Sequence, residues 1–220
     1  HGGGARAHRG HLRPVGQGHD GAQQAAAEGG PRGGQRAAVD VQLGAVGRQP
    51  GAQRGGYDGA TYAPWIIALK GDGTVWVEGF NAGGQFGLNN TTNFFTFQQV
   101  TSLIGTNIKK IYSTEGGSTE GSTYLIDSNN NLYVAGYNGH GQLGLGDTSS
   151  RLTFQQVTKT GIAGKAYKVY VGGSYYDTSI SFAYVLTTDG ELYAAGYNNQ
   201  GWLGVGTYSN ATTWTKVIRN

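Results

Sequence analysis

The stretch Asn138-Gly139-His140-Gly141-Gln142-Leu143-Gly144-Leu145-Gly146-Asp147-Thr148 decides the fold, because two related stretches recur in the chain. The related stretches begin at Asn81 and Asn198. A glycine lies two residues before each of the three, at Gly79, Gly136 and Gly196, so the successive spacings are 57 and 60 residues. Self-similarity at such a period predicts a repeat architecture.

Composition divides the chain at residue 57. All 25 aromatic side chains lie from Tyr57 onward. Residues 1–56 carry seven arginines and three acidic residues, a net charge of +4, whereas residues 57–220 carry nine basic and ten acidic side chains, a net charge of −1. The basic character of the whole chain therefore does not predict nucleic-acid binding by the folded part. Cysteine is absent, which excludes disulfides and thiolate metal sites, and no apolar run reaches the roughly 18 residues of a membrane span.

Residues 1–56 predict no folded domain. They use only ten residue types, all with codons that begin with G or C, which is typical of GC-rich DNA translated in the wrong frame. A second hypothesis is a Gly/Ala/Arg-rich disordered arm, because so little apolar surface cannot offset chain entropy. A third is a phosphate-binding arm built on the seven arginines.

Residues 57–220 predict an all-β fold of three similar units, at about 57–107, 108–164 and 165–220. Each unit contains short apolar runs joined by tight turns such as Gly71-Asp72-Gly73, whose residues tolerate positive φ at low cost. No run combines helical periodicity with helix caps. Four antiparallel strands repeated at this period are typical of β-propeller blades. The first unit is expected to lack its first strand, because no β-like pattern precedes Tyr57.

The repeat resembles that of the RCC1-like family (regulator of chromosome condensation). The family pattern is a DG turn, a strand ending in glycine and an N-x-x-G-Q-L-G-x-G block, and residues Asn131–Asp147 match it best. The resemblance covers about three quarters of the chain and implies a partial propeller, with about three blades of the family's usual seven. The chain departs from the pattern at Trp202, which replaces the block's glutamine, and in lacking the family's usual histidine before the second strand.

The repeated block predicts structural joints between blades. Its glycines lack a following Gly-Lys-Ser/Thr and a helix start, so they predict tight turns packing one blade on the next and no phosphate cradle. Its glutamines are expected to hydrogen-bond the backbone of the adjacent blade. The motif residues are Gly79, Gln85, Gly87, Gly136, Gln142, Gly144, Gly196 and Gly204.

The candidate binding residues are loop aromatics that the repeat does not require. Tyrosine among Ser, Gly and Asn forms adaptable contact surface at low entropic cost. Packing between blades is an equal alternative for the two phenylalanines. The residues are Tyr175, Tyr176, Phe94, Phe95 and Tyr208.

The sequence predicts a non-enzymatic binding or structural module, with no catalytic residue, cofactor or metal. The acidic residues occupy repeat-equivalent turns and form no singled-out pair of the hydrolase type. The main expectation is display on a virion, extracellular filament or cell surface, with a cytoplasmic location also compatible. Expected partners are proteins, through self-association or a neighbouring chain that completes the blades, and a surface glycan or receptor is possible. The resemblance implies one alternative, a regulator of guanine-nucleotide exchange or chromatin binding; a proteinaceous enzyme inhibitor is another.

Overall fold

The computed structural model describes residues 41–46, 65–114, 121–158, 162–173 and 181–218, and only the backbone of residues 41–46. The chain divides between Ala37 and Ala38, and every described residue belongs to the second unit. The predicted boundary at residue 56 and the hypotheses on the origin of residues 1–56 therefore stay predictions.

Three four-stranded antiparallel sheets make up the described residues, each built from strands consecutive in the chain. The first contains β1 (Val41–Val46), β2 (Trp65–Lys70), β3 (Val75–Gly79) and β4 (Phe94–Gln99). The second contains β5 (Ile108–Ser113), β6 (Ser122–Asp127), β7 (Leu132–Gly136) and β8 (Arg151–Gln156). The third contains β9 (Ala166–Gly173), β10 (Ser181–Thr187), β11 (Leu192–Gly196) and β12 (Ala211–Lys216). The predicted all-β fold of three four-stranded blades is confirmed.

The expectation that the first blade lacks its first strand is wrong. Strand β1 pairs antiparallel with β2, from Val41 opposite Lys70 to Val46 opposite Ile66. A strand edge with unpaired N–H and C=O groups accepts any short extended segment that reaches it. The biased composition of residues 1–56 hid a strand of only six residues.

Strand β6 shows why the blades stack. All six of its residues are buried, although alternate side chains of a strand point to opposite faces. Tyr124 and Ile126 pack in a cluster shared with the third blade, and Leu125 packs in a cluster shared with the first blade. The second blade therefore has a neighbour on each face, and its middle strand has no solvent side.

Two hydrophobic clusters lie between the blades and form the core. In the first, Trp65 and Phe86 meet edge to face with centroids 6.1 Å apart, and residues of β5, β6 and β8 complete the cluster. In the second, Tyr124 and Trp214 meet in the same way at 6.3 Å. Such aromatic pairs contribute about 0.5–1.5 kcal/mol beyond the area they bury.

Helical structure in the described part of the chain is one 3₁₀ turn, Thr101–Leu103, between the first and second blades. Within those residues, therefore, no helix has the length and apolar character that crossing a bilayer requires.

The close approach at Gly144 gives a test of interblade packing. Gly144 has φ +66°, and a Cβ there would lie 2.3 Å from Nε1 of Trp214, whereas Gly105, with φ +83°, has no atom within 4 Å of the equivalent position. Both Gly→Ala changes carry the left-handed backbone penalty of about 1–2 kcal/mol, but only Gly144→Ala also displaces Trp214. We expect Gly144→Ala to lower the free energy of unfolding by about 1–3 kcal/mol more than Gly105→Ala.

Urea unfolding of the two variants beside the parent protein measures this difference. Equal losses of stability would show that the contact between Gly144 and Trp214 does not constrain the fold.

Candidate functional site

Each block is held in shape by its first asparagine, a residue whose role the sequence analysis missed. Asn138 is fully buried. Its amide nitrogen donates to the carbonyl oxygens of Asp147 at 2.9 Å and Ser149 at 3.1 Å, and its Oδ1 accepts from the N–H of Leu143 at 2.9 Å. Asn81 and Asn198 are also fully buried. Asn198 makes all three corresponding bonds, and Asn81 makes two of them, donating to the carbonyl of Asn90 and accepting from the N–H of Phe86. The recurrence of asparagine at the first position of all three blocks was the available signal.

The block glutamines are buried, and their hydrogen bonds correct the prediction, because they go to their own loops and not to the adjacent blade. Gln85 donates to the carbonyl of Phe80 at 2.9 Å and accepts from the N–H of Gly83 at 3.0 Å, both in its own loop. Its contact with the adjacent blade is packing, because a Cβ on Gly121 would lie 3.1 Å from its amide group. A side chain of this length reaches its own loop backbone more readily than a neighbouring strand.

The block backbone is what joins one blade to the next. Gly87 lies under the ring of Phe154, where a Cβ would come within 2.3 Å of the ring, as Gly144 lies under Trp214. The residue after each of these glycines forms an isolated antiparallel bridge to the fourth strand of the next blade, which we call its outer strand. Leu88 bridges to Thr153 on β8, and Leu145 bridges to Thr213 on β12. These loops therefore serve as interblade joints.

The predicted loop aromatics do not form one site in the described residues. Phe94 is partly buried and packs against the cluster between the first two blades, whereas Phe95 is 79% exposed and Tyr208 is 75% exposed. Phe95 lies on β4 of the first blade and Tyr208 on the loop before β12 of the third. Tyr175 and Tyr176 lie outside the described residues, so their role as a binding surface stays a prediction.

The first strands of the second and third blades, β5 and β9, bring together a site that the sequence analysis did not identify. Lysine and tyrosine side chains of β5 and β9 meet across the boundary between these blades. We call this set the lysine–tyrosine cluster, and its members are Lys109, Lys110, Tyr112, Tyr167, Lys168 and Tyr170.

Specific contacts hold the cluster together. The ammonium of Lys110 donates to the carbonyl of Tyr167 and lies 4.1 Å from the centre of that residue's ring. Lys168 lies 4.7 Å from the ring centre of Tyr170. Such cation–π contacts contribute about 0.5–1 kcal/mol at exposed sites. Lys110 and Lys168 are therefore held beside flat aromatic rings, whereas the ammonium of Lys109 donates to the carbonyl of Ser128 at 3.0 Å.

The cluster concentrates positive charge. Burial lowers the pKa of Lys110, and the charges of Lys109 and Lys168 lower it further. Burial raises the pKa of Tyr112, with smaller influences from Val169, Tyr170 and Tyr167. The salt bridges found in the described residues involve other cations, namely Lys70, Arg151, Lys165 and Lys216. The three cluster lysines, of which Lys109 and Lys168 are exposed and Lys110 is half-buried, thus have no carboxylate paired to them in that part of the chain.

This arrangement suits binding of negatively charged groups, with the tyrosine rings supplying contact area.

Among the described residues no group of three or more His, Cys, Asp or Glu side chains is placed to hold a metal ion. His140, the histidine of the repeats, packs edge to face between the rings of Tyr137 and Tyr197, with centroids 6.1 and 5.6 Å away. The predicted absence of catalysis stays a prediction.

Comparison with solved structures defines the class of fold as a β-propeller segment. The chain superposes on Prp20p from Saccharomyces cerevisiae with a TM-score of 0.57, at 14% identity over 71% of this chain and 36% of that one. It superposes on yeast RCC1 (Prp20), solved bound to Kap60, with a TM-score of 0.56, at 16% identity over 85% of this chain and 39% of that one.

Sequence comparison finds similar regions in three curated proteins. The chain is 31% identical over 140 residues to the ultraviolet-B receptor UVR8 of Arabidopsis thaliana, covering 64% of this chain and 29% of the receptor. It is 32% identical over 150 residues to the human X-linked retinitis pigmentosa GTPase regulator, covering 64% of this chain and 13% of the regulator. It is 33% identical over 132 residues to the bovine secretion-regulating guanine nucleotide exchange factor, covering 60% of this chain and 26% of the exchange factor.

These matches agree with the block and the blades, and the chain resembles RCC1-like repeat proteins in sequence and in propeller fold. No protein-family model matches it. The chain spans less than a third of the length of each of these three relatives.

Removing a block asparagine tests its structural role. Asn138→Ala leaves the buried N–H of Leu143 without its partner, which costs about 1–3 kcal/mol. It also removes the bonds to the carbonyls of Asp147 and Ser149, which are part-buried. We expect a loss of at least about 2 kcal/mol in the free energy of unfolding. Asn129→Ala, at an exposed turn position, should cost less than about 0.5 kcal/mol. Thermal or urea unfolding distinguishes these results, and similar losses in both variants would contradict the role assigned to Asn138.

The pKa of Lys110 tests whether the three cluster lysines interact through their charges. Replacing both Lys109 and Lys168 with alanine removes two positive neighbours, so the pKa of Lys110 should rise toward its ordinary value while burial still holds it below that value. The lysine side-chain signals followed by NMR through an alkaline pH titration measure the change. An unchanged or lowered pKa would show that the three lysines do not interact.

Proposed function

We propose that the chain is a non-catalytic binding module of the RCC1-like regulatory type, and that its lysine–tyrosine cluster binds an acidic segment of a protein partner. The observation that carries the proposal is the grouping of three lysines with no carboxylate paired to them in the described residues. Lys110 and Lys168 lie beside tyrosine rings, and the charge of Lys109 acts on Lys110. A partner's Asp and Glu side chains supply the missing opposite charge, and the rings supply apolar contact at low entropic cost.

The relatives favour the regulatory alternative over surface display. Those compared above are named as a receptor, a GTPase regulator and a guanine nucleotide exchange factor. Prp20p was solved in a study of its binding to Gsp1p and histones, and yeast RCC1 was solved with Kap60. No name among them supports the expected virion or surface location or the enzyme-inhibitor alternative. The cytoplasmic alternative is compatible with the proposal.

The size of the charge interactions limits how much the lysine–tyrosine cluster contributes to binding. Exposed charge pairs contribute about 0.2–1 kcal/mol each, so three lysines supply no more than about 3 kcal/mol. Such a contribution is strongly reduced by salt, because the Debye length is about 8 Å at physiological ionic strength. The cluster therefore adds specificity and association rate to a larger protein interface, and does not provide high affinity alone.

Binding of a fluorescent polyglutamate peptide to the 220-residue chain tests the proposal. The triple change Lys109→Ala, Lys110→Ala and Lys168→Ala should weaken binding about tenfold or more at low salt, and added salt should remove most of the difference.

The matched control removes the same total charge elsewhere. Lys70→Ala, Lys165→Ala and Lys216→Ala delete lysines that already pair with Asp72, Asp189 and Glu191, and this variant should retain most of the binding. Equal weakening in both variants would mean that only net charge matters. Tighter binding of a single-stranded oligonucleotide than of the peptide would instead identify a nucleic-acid site, and would also contradict the proposal.

A further inference from the structure

The sequence contains one Asn-Gly dipeptide, Asn138-Gly139, and it opens the block of the second blade. The other two blocks have a different residue after their first asparagine, Ala82 in the first and Asn199 in the third. Asparagine followed by glycine is especially prone to lose its amide, because a residue without Cβ lets its backbone nitrogen approach the asparagine side chain. The second block therefore carries a reactive pair that the other two lack.

The reaction at this pair needs only water as a second reactant. The backbone nitrogen of Gly139 attacks Cγ of Asn138, the bond from Cγ to Nδ2 breaks, and the proton of the attacking N–H leaves with Nδ2 as ammonia. Water then opens the succinimide ring that has formed. Opening at the side-chain carbonyl gives aspartate, and opening at the backbone carbonyl gives isoaspartate, in which the main chain runs through the side-chain carbon.

The closed block withholds Asn138 from this reaction. Its side chain is fully buried, and its Nδ2 donates to the carbonyls of Asp147 and Ser149. Because the leaving nitrogen is the one that donates both of these bonds, the block must open before ammonia can depart. Gly139 is exposed, so the hold on Asn138, and not access of solvent to the glycine, limits the reaction.

The hold on Asn138 depends on the joint between the second and third blades, which we call the second joint. The N–H of Gly146 donates to the carbonyl of Thr212 on β12 at 2.8 Å. The carbonyl of the next residue, Asp147, accepts from Asn138. Trp214 of the same strand covers the block from the third blade. Release of β12 from the block therefore frees the residues that hold the amide.

The joint between the first and second blades, the first joint, is built in the same way and provides a comparison. The outer strands β4, β8 and β12 share one register, in which Gln98, Gln155 and Thr215 pair with equivalent residues of the third strands. Phe154 of β8 therefore occupies the position that Trp214 occupies on β12, and it lies against Gly87 of the first block. Weakening the first joint frees a block that has no Asn-Gly pair.

The products of the reaction do not fit the closed block. A carboxylate accepts hydrogen bonds and donates none, so after conversion the oxygen in place of Nδ2 faces the carbonyl oxygens of Asp147 and Ser149 without a proton to share. The carboxylate of Asp147 is also near, with its Oδ1 3.4 Å from Nδ2, and a buried charge without a partner is costly. Isoaspartate lengthens the main chain and displaces the turn that follows.

We propose that Asn138 is a site of spontaneous deamidation controlled by the second joint. The amide is protected while β12 holds the block closed, and it is lost when the joint opens. Its loss keeps the joint from forming again, so the modification makes the opening permanent. The proposal uses no residue of the lysine–tyrosine cluster and does not depend on the function assigned to that cluster.

Peptide mass mapping of the 220-residue chain tests the protection. The protein is held at mildly alkaline pH, either native or unfolded in guanidinium chloride, and trypsin then releases residues 111–151 as one peptide. Tandem mass spectrometry locates the change from amide to carboxyl among Asn138 and the asparagines at 129–131. We expect Asn138 to convert about tenfold or more faster in the unfolded chain, because the native rate is limited by opening.

Two results of this mapping would contradict the proposal. Similar rates in the native and unfolded chain would show that the block does not protect Asn138. Conversion in the unfolded chain that is no faster at Asn138 than at residues 129–131 would show that the Asn-Gly pair is not the reactive one.

A pair of matched variants tests control by the second joint. Trp214→Leu should raise the native rate of conversion at Asn138 several-fold, whereas Phe154→Leu, at the same position of the first joint, should leave it near that of the parent. Circular dichroism confirms that each variant is folded, and Trp214→Phe replaces Trp214→Leu should the latter unfold. Equal acceleration in both variants would assign the reaction to global unfolding, and no acceleration in the Trp214 variant would remove the joint from the account; either result overturns the proposal.

The aspartate product can be made directly to test whether the block closes after conversion. Asn138→Asp should unfold at a lower denaturant concentration than the parent, because the donor to two carbonyls is lost and a charge is buried. An unchanged unfolding midpoint would show that the converted block closes normally, and the opening would then not be permanent.

Discussion

The close approach of a glycine backbone to the aromatic ring of the next blade is the contact on which the described structure depends. At Gly144 the space that a Cβ would need is filled by Trp214, and at Gly87 it is filled by Phe154. Each contact fixes how closely the block approaches the next blade. It therefore also fixes where Leu88 and Leu145 bridge to the fourth strand of that blade. The fully buried asparagine holds the loop in the one shape that makes this approach possible.

The periodic part of the fold could be predicted from sequence because its causes are local. Glycines at constant spacing, turn residues such as Asp72 and Asn130, and alternating apolar runs each act within a few residues, so they are visible in a linear pattern. Asn130 has φ 63° in its turn, as the turn chemistry requires. The second blade, with neighbours on both faces, follows the family pattern most closely.

The features that escaped prediction depend on residues far apart in the chain or on weak local patterns. Lys110 and Tyr167 are 57 positions apart, and only the stacking of β5 beside β9 makes them neighbours. Strand β1 is only six residues long and contains a glycine, so it does not stand out from the Gly/Ala-rich sequence around it, and it pairs with the edge of β2. The hydrogen bonds of Gln85 were assigned to the wrong blade because sequence spacing does not show which way a side chain turns. Phe94 is partly buried and Phe95 is exposed, although the two are adjacent on β4. Which of them faces the neighbouring blade could be determined only from the structure of the sheet.

The register shared by the outer strands has an evolutionary consequence. Because one blade carries the block on one side and the aromatic strand on the other, a duplicated blade brings both halves of a joint with it. A tandem gene duplication therefore inserts a unit that fits its neighbours at once, with no new complementary surface to evolve. Substitutions elsewhere in the blade are then free to accumulate. This explains how repeats in one chain keep the same joint while the aromatic ring changes from phenylalanine to tryptophan.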